Sequence, residues 1–210
     1  MKIAIIGTGN VGGTLAKSWG AKGHKIFLGV RDTQDEKTKA MAKGIGADAE
    51  VLGIRQAAER TDIVVLATPW EAAKDALRAA GDLSGKILID VTNPLKPDLS
   101  GLSVGHDTSA GEQVAGWARG ARVVKAFNTT GFPNMADPKY PDGAATMFIC
   151  SDDADAKSRA ATLARDLGFE VVDAGPLSNA RLLEPMAMLW IYLAVKMGMG
   201  TNIAFRLMKR

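Results

Sequence analysis

The sequence predicts an α/β chain, an open doubly wound and mostly parallel sheet followed by a small C-terminal helical segment. Three observations carry that reading. Short runs rich in Ile and Val alternate with longer amphipathic stretches along most of the 210 residues. Some of these runs are apolar at consecutive positions, as in Ile63-Val64-Val65-Leu66, the mark of a strand covered on both faces. After Gly175 the alternation stops, and no further strand pattern follows.

The predicted strands, in order, are Ile3–Ile6, Lys25–Leu28, Ile63–Ala67, Ile87–Asp90, Arg122–Ala126, Thr146–Cys150 and Glu170–Val172. Each is short, β-branched and bounded by Gly, Asp or Pro. Helical periodicity fills the gaps over Val11–Ala21, Gln34–Lys43, Trp70–Ala80, Ser109–Trp117 and Ala154–Leu167. A strand returned to the sheet by a helix must pair in parallel, because a crossover reverses the chain twice. Beyond Gly175, one helix is expected over Arg181–Lys196 with Ser178 or Asn179 as its cap. Pro185 then falls in its first turn, where a missing N–H costs least. Gly198-Met199-Gly200 would end it, and a second short helix is expected over Asn202–Met208. The division is therefore residues 1–175 for the sheet domain and 176–210 for the helical segment.

Composition narrows the function classes. One cysteine and two histidines exclude a disulfide framework and a cysteine-rich zinc site, and no metal-ligand spacing is present. Twenty-six basic against 23 acidic residues leave a net charge of +3 with no basic run, so nucleic acid is not an expected partner. Met1 leads directly into the first strand, without the apolar region of a signal peptide. The longest apolar run, Met186–Val195, has ten residues, whereas a membrane span needs about 20. A soluble, cytoplasmic protein is expected.

The strongest local signal is Gly7-Thr8-Gly9-Asn10-Val11-Gly12. This G-x-G-x-x-G sequence follows a buried strand and opens a helix, the context that a dinucleotide fingerprint requires. Gly7 allows the tight turn, Gly9 lets the backbone approach a pyrophosphate, and Gly12 lets helix and strand pack closely. A Rossmann domain is thereby expected. At the end of the second strand, Phe27-Leu28-Gly29-Val30-Arg31-Asp32 places Arg31 first among the charged residues. A guanidinium suits a 2′-phosphate, so NADP is the expected cofactor, with Lys37 and Lys39 as further candidates to hold it. Asp32, one residue on, points the other way.

Ligands of such sheets lie beyond the carboxyl ends of the strands. Three of those ends are distinctive: Thr68 and Pro69 in Ala67-Thr68-Pro69-Trp70; Asn93 and Pro94 in Thr92-Asn93-Pro94; and Asn128 in Lys125-Ala126-Phe127-Asn128-Thr129-Thr130. Uncharged donors and acceptors there suit a carboxamide or the edge of a flavin-like ring. Trp70 reads as core, His24 as structural and Cys150 as a small core hydrophobe. Lys125 reads as a sheet-end lysine or an ion pair rather than a base. Asp152, Asp153 and Asp155 sit where a helix begins and suit its N-terminus rather than a metal. With no Ser/His/Asp order and no evident Lys/Asp pair, no catalytic residue is assigned. Hydride transfer between two bound cofactors, with the protein holding their rings, fits such a site.

Over nearly its whole length the chain resembles the NADPH-dependent oxidoreductases of coenzyme F420, an 8-hydroxy-5-deazaflavin. The resemblance lies in the Gly7–Gly12 loop, Thr68-Pro69-Trp70-Glu71, Ser109-Ala110-Gly111-Glu112 and Asp173-Ala174-Gly175-Pro176-Leu177-Ser178-Asn179-Ala180-Arg181. It implies a Rossmann domain with a C-terminal helical domain, a homodimer, and a deazaflavin in the cleft between them as the small-molecule acceptor. It also implies that Thr8, Gly9, Asn10, Val11 and Arg31 hold NADP, with Thr68 and Pro69 near the nicotinamide. Two places depart from the family pattern. Phe127-Asn128-Thr129-Thr130 stands where deazaflavin users tend to carry a His-Thr-Ile-Pro-type stretch, and Val30 stands where a small hydroxyl residue often helps hold the 2′-phosphate. Lys125-Ala126-Phe127-Asn128 is similar instead to the cytosolic NADPH domain of membrane ferric reductases. The alternatives that remain are a flavin (FMN or FAD) or ferric-reductase-type donor, a small hydroxy-acid dehydrogenase, and an NADPH sensor.

Overall fold

The computed structural model describes residues 1–46 and 49–210. The chain runs β1 (Lys2–Ile6), α1 (Asn10–Ala21), β2 (Lys25–Val30), α2 (Glu36–Ile45), β3 (Ala49–Gly53), α3 (Ile54–Glu59), β4 (Ile63–Leu66), α4 (Trp70–Ala80) and β5 (Ile87–Asp90). It continues through α5 (Ala110–Trp117), β6 (Arg122–Lys125), α6 (Phe132–Ala136), β7 (Lys139–Tyr140), β8 (Gly143–Ala144) and β9 (Thr146–Ile149). The last elements are α7 (Ala154–Asp166), β10 (Glu170–Asp173) and α8 (Ala180–Ile191). Six strands form one parallel sheet in the order β3-β2-β1-β4-β5-β6, with the reversal of strand order between β1 and β4. That is the Rossmann order expected from the sequence.

Side chains alternate across this sheet with the period of a strand. Ile3, Ile5, Ile26, Leu28, Ile63, Val65, Ile87 and Ile89 enter the core beneath α1 and α7. Their neighbours Ala4, Ile6, Phe27, Val64, Leu66 and Leu88 enter the core beneath α3, α4 and α5. Trp19 anchors the first core, with its indole Nε1–H donating to the Leu163 carbonyl at 3.0 Å and its ring edge-on to Phe127 at 5.5 Å.

Several expectations need correction. The strand β3 and the helix α3 are absent from the sequence reading, since β3 is half-buried throughout and α3 has only six residues. The strands predicted over Thr146–Cys150 and Glu170–Val172 do not extend the main sheet. They pair with each other in parallel, and β9 meets β6 only through an antiparallel bridge between Lys125 and Cys150. The second C-terminal helix is also absent. Residues 202–208 form no helix; the Ile203 carbonyl accepts from Asn134 Nδ2 and Trp190 Nε1 at 2.7 Å each, while Thr146 N–H donates to the Phe205 carbonyl at 2.9 Å and Leu207 N–H to the Thr146 hydroxyl at 2.9 Å. Partners far away in the chain outcompete the short helix. The predicted long helix begins after a 3₁₀ turn (Leu177–Asn179) and ends in a π turn (Tyr192–Lys196). Pro185 therefore lies beyond its first turn, and Asn179 donates to the Ala174 carbonyl instead of capping.

Three distant segments meet at Lys125, which is fully buried. Its ammonium lies 2.9 Å from Asp90 Oδ2 at the end of β5 and 2.9 Å from Glu184 Oε1 on α8, and donates to the Thr92 carbonyl at 2.6 Å. Glu184 in turn accepts from Ala110 N–H at 2.9 Å and Gly111 N–H at 3.0 Å, the first N–H groups of α5. Desolvation pulls the lysine toward neutrality, but the two carboxylates outweigh it and raise Lys125 above its ordinary value. Lys125→Met would strand two buried carboxylates, so it is expected to lower unfolding free energy by about 3–5 kcal/mol in urea titrations. Because the folded pKa is raised, the stabilisation is complete below about pH 10.4 and lost only as pH climbs through the raised value. Cys150, fully buried, has its thiol pushed up to about 12 chiefly by desolvation. It should resist maleimide at pH 7.5 in the native protein and label at once in urea.

Candidate functional site

The phosphate loop takes the shape its glycines predict. Gly7 follows β1 at φ +103°, and a side chain there would meet the Ala67 carbonyl oxygen at 2.5 Å. A methyl group on Gly12 would collide with the Gly7 carbonyl, which is the close helix–strand approach expected of the third glycine. Gly9 differs from both. A Cβ there would have nothing within 4 Å, and its backbone is ordinary at φ −71°. The space over Gly9 faces the start of α1, where the N–H groups of Asn10, Val11 and Gly12 have no intrahelical acceptor.

One cleft of about 530 Å³ opens at this turn. It brings together Gly7, Thr8, Gly9, Arg31, Thr68 and Pro69 of the predicted site. Ile54, Ala72, Ala76 and Ala79 add an apolar wall facing the loop, suited to the flat face of a base. Asn10, Val11 and Gly12 lie behind the cleft in the first turn of α1 and are not among its lining residues. The exposed Arg31 stands at the end of β2, as expected. Asp32 Oδ1 accepts from Gln34 N–H at 2.8 Å, which ties that carboxylate into its own turn. Lys39 is not turned to the cleft, because its ammonium is held by Gln34 Oε1 at 2.8 Å and Glu36 Oε1 at 3.1 Å.

Asn93, Pro94 and Asn128 form a second cluster on the rim, separate from the cleft lining. Asn93 Nδ2 donates to the Asn128 carbonyl at 2.9 Å, and Asn128 Nδ2 donates to Asn93 Oδ1 at 3.2 Å and to the Leu183 carbonyl at 3.3 Å. Phe127 makes this possible. It sits at φ +59°, a strained setting for a bulky residue, with its ring buried against Trp19 and Phe169. That turn sends Phe127 into the core and Asn128 up to α8. Gly131 lies directly under the Trp190 ring, where any side chain would collide. The C-terminal helix is thus seated on the carboxyl end of β6.

Three buried side-chain atoms have no hydrogen-bond partner among the described residues: Thr68 Oγ1 beside the cleft, and Asn128 Oδ1 and Thr129 Oγ1 on the far rim. Orphaned polar atoms of this kind are rare inside proteins, and they fit a ligand rich in amide groups. The residues present therefore fit a dinucleotide in two independent ways, through the open space over Gly9 and through unsatisfied groups at the far rim.

The buried Lys125–Asp90 pair corrects the expectation that no such pair exists. It is not a base waiting for substrate. All three donors of the ammonium are taken, and none of its surface is exposed. Trp70 is structural as expected, stacked on Trp117 at 5.1 Å. His24 joins the amino terminus at 2.8 Å to Asp166 at 3.0 Å, at the opposite end of the sheet from the cleft. Of the acidic cluster, Asp153 caps α7 through Ala156 N–H at 2.7 Å, Asp152 accepts from Leu177 N–H at 2.9 Å, and Asp155 pairs with Arg122 at 2.9 Å.

Comparison with known proteins agrees with this geometry. A family model described as NADP oxidoreductase coenzyme F420-dependent matches residues 2–94. The chain is 32% identical over 210 residues to the F420-dependent NADP reductase of Methanothermobacter marburgensis, covering 93% of each protein. It is 29% identical over 184 residues to the rat metalloreductase STEAP3, a match that takes in 87% of this chain and 36% of that protein. Among solved structures, an Arthrobacter sp. FB24 protein assigned as an F420-dependent NADP-reductase superposes with a TM-score of 0.89 at 32% identity, over 100% of both chains. With the phosphate loop, the sheet order and the full-length similarity in agreement, the chain belongs to the family of coenzyme F420-dependent NADP oxidoreductases.

Proposed function

We propose that this protein transfers a hydride between NADP(H) and coenzyme F420. The observation that carries the proposal is the single cleft that joins the phosphate loop to Arg31 and to Thr68 and Pro69, in a chain similar over its length to F420-dependent NADP reductases. The two coenzymes supply the hydride chemistry themselves. The chain's residues bind and orient. Gly7, Thr8 and Gly9, with the N–H groups of Asn10, Val11 and Gly12, receive the pyrophosphate at the positive end of α1. Arg31 faces the 2′-phosphate, and Ile54, Ala72, Ala76 and Ala79 take the adenine. Thr68 and Pro69 bound the nicotinamide side. Asn93, Pro94 and Asn128 form the wall toward the acceptor. No side chain is assigned a proton in this scheme, and the rate gain comes from holding two rings in register.

Residues 1–175 act as the nucleotide domain and 176–210 as the segment that closes the acceptor side. Among the described residues no helix is long and apolar enough to cross a membrane. The outer face of the C-terminal segment exposes Leu182, Leu189, Tyr192 and Val195, a surface suited to a second copy in a homodimer. Sedimentation velocity should then give a dimer that Leu189→Lys drives toward monomer.

The purified protein should oxidise NADPH with coenzyme F420 far faster than with FMN or FAD, followed by the loss of NADPH absorbance. Turnover with FMN or FAD alone would move the assignment toward the metalloreductase-type donor. Gly9→Val tests the loop directly. Its side chain enters open space, so the melting temperature should stay within about 2 °C while NADPH affinity falls by at least tenfold.

A further inference from the structure

One wall of the cleft is a single helix face. Ala72, Asp75, Ala76 and Ala79 of α4 all line it, at the i, i+3, i+4 and i+7 spacing that keeps side chains on one side of a helix. Three of the four are methyl groups, which cover the flat face of a base without distinguishing one base from another. Asp75 is the exception, the one hydrogen-bonding side chain on that face. Among the described residues, four charged side chains line the cleft: Arg31, Asp32, Asp35 and Asp75. Asp32 Oδ1 accepts from Gln34 N–H at 2.8 Å inside its own turn. Asp35 Oδ2 caps α2, accepting from Thr38 N–H at 2.9 Å and from the Thr38 hydroxyl at 2.7 Å. Arg31 is the group assigned to the 2′-phosphate. Asp75 has no backbone partner of this kind. Arg78, which does not line the cleft, donates from Nη1 to Asp75 Oδ1 at 3.0 Å. That bond engages one carboxylate oxygen and leaves Oδ2 for a ligand.

The 6-position is where purine bases differ most plainly. Adenine carries an amino group there, which donates; a 6-oxo purine such as hypoxanthine carries an oxygen, which only accepts. A carboxylate accepts from the first and repels the second. We infer that Asp75 reads the 6-amino group of the adenine, so that the cleft prefers the adenine dinucleotide to its 6-oxo counterpart. The inference rests on the reading of the cleft as a dinucleotide site with its base on α4, and it adds the residue that recognises the base. It leaves the 2′-phosphate to Arg31, because the charge of Asp75 acts alike on two nucleotides that carry the same phosphates. The Asp75 side chain is 78% exposed, so its bond to the base competes with water and gives a several-fold preference rather than several decades.

The test compares two ligands that differ only at the base. Dissociation constants are taken for NADPH and for reduced nicotinamide hypoxanthine dinucleotide phosphate by titrating the fluorescence of the reduced nicotinamide. Wild-type protein, Asp75→Ala and Asp75→Asn are measured side by side. Alanine is the strongest helix former and the exposed pair with Arg78 adds little stability, so both variants should keep the wild-type melting temperature. The wild-type protein should bind NADPH about fivefold more tightly than the hypoxanthine analogue. Asp75→Ala should bring the two within about twofold of each other. Asp75→Asn should close the gap chiefly by tightening the analogue, because a carboxamide can donate to the 6-oxo oxygen. A wild-type ratio near one would overturn the inference. So would variants that shift both constants by the same factor, since that is the mark of a charge acting on the phosphates alone. If NADPH itself does not bind the wild-type protein, the dinucleotide reading fails, and the inference with it.

Discussion

The structure depends on one buried charge. Lys125 reaches Asp90 and Thr92 after β5 and Glu184 on α8 from the end of β6, so its contacts join three distant stretches of chain. Burying an ammonium costs several kcal/mol unless its donors and its charge are both answered. Here two carboxylates answer it, which leaves one negative charge over. The start of α5 meets that excess through two N–H groups on Glu184 and the positive end of its helix dipole. No member can leave without exposing another, so β5, β6, α5 and α8 are held as one unit. Arg181 strengthens the same joint from outside, with two bonds to Glu112 at 2.8 and 2.6 Å.

That joint explains where the Asn93–Asn128 pair stands. Asn128 lies three residues beyond Lys125, and its amide reaches the Leu183 carbonyl, next to Glu184. Asn93 lies three residues beyond Asp90 and bonds to Asn128. The ion cluster and the asparagine pair are thus successive layers of the same contact, the first buried and the second on the rim. Phe127 at φ +59° is the bend between them, a cost of order 1–3 kcal/mol that its packing against Trp19 and Phe169 offsets.

What the sequence made legible was whatever is local in the chain. The sheet could be read because alternate residues of each strand feed opposite cores, as Ile3 and Ala4 do. The phosphate loop could be read because its three glycines act within six residues. The missed elements had weak local signals: β3 is half-buried along its whole length, and α3 buries only Ile54, Ala57 and Ala58. The tail was misread as a helix because its partner, Thr146 at the start of β9, lies about sixty residues earlier. The Lys125 cluster was invisible for the same reason. Positions 90, 125 and 184 have no spacing that any secondary structure would explain, and a lone lysine at a strand end resembles any other.

The two ends of the ligand path are therefore under different constraints. The turn after β2 carries Arg31, Asp32 and Asp35 on its exposed side, and at Asp35 a charge can be lost while the cap on α2 survives as Asn or Ser. A change there alters the field on a phosphate and little else. The Asn93–Asn128 end rests on a closed buried network in which a single substitution strands a charge and shifts the seat of α8. A change of acceptor needs either rim substitutions that leave Lys125, Asp90 and Glu184 untouched or several coordinated replacements at once. Asn128, on the rim and outside the ion cluster, is where the first route is open.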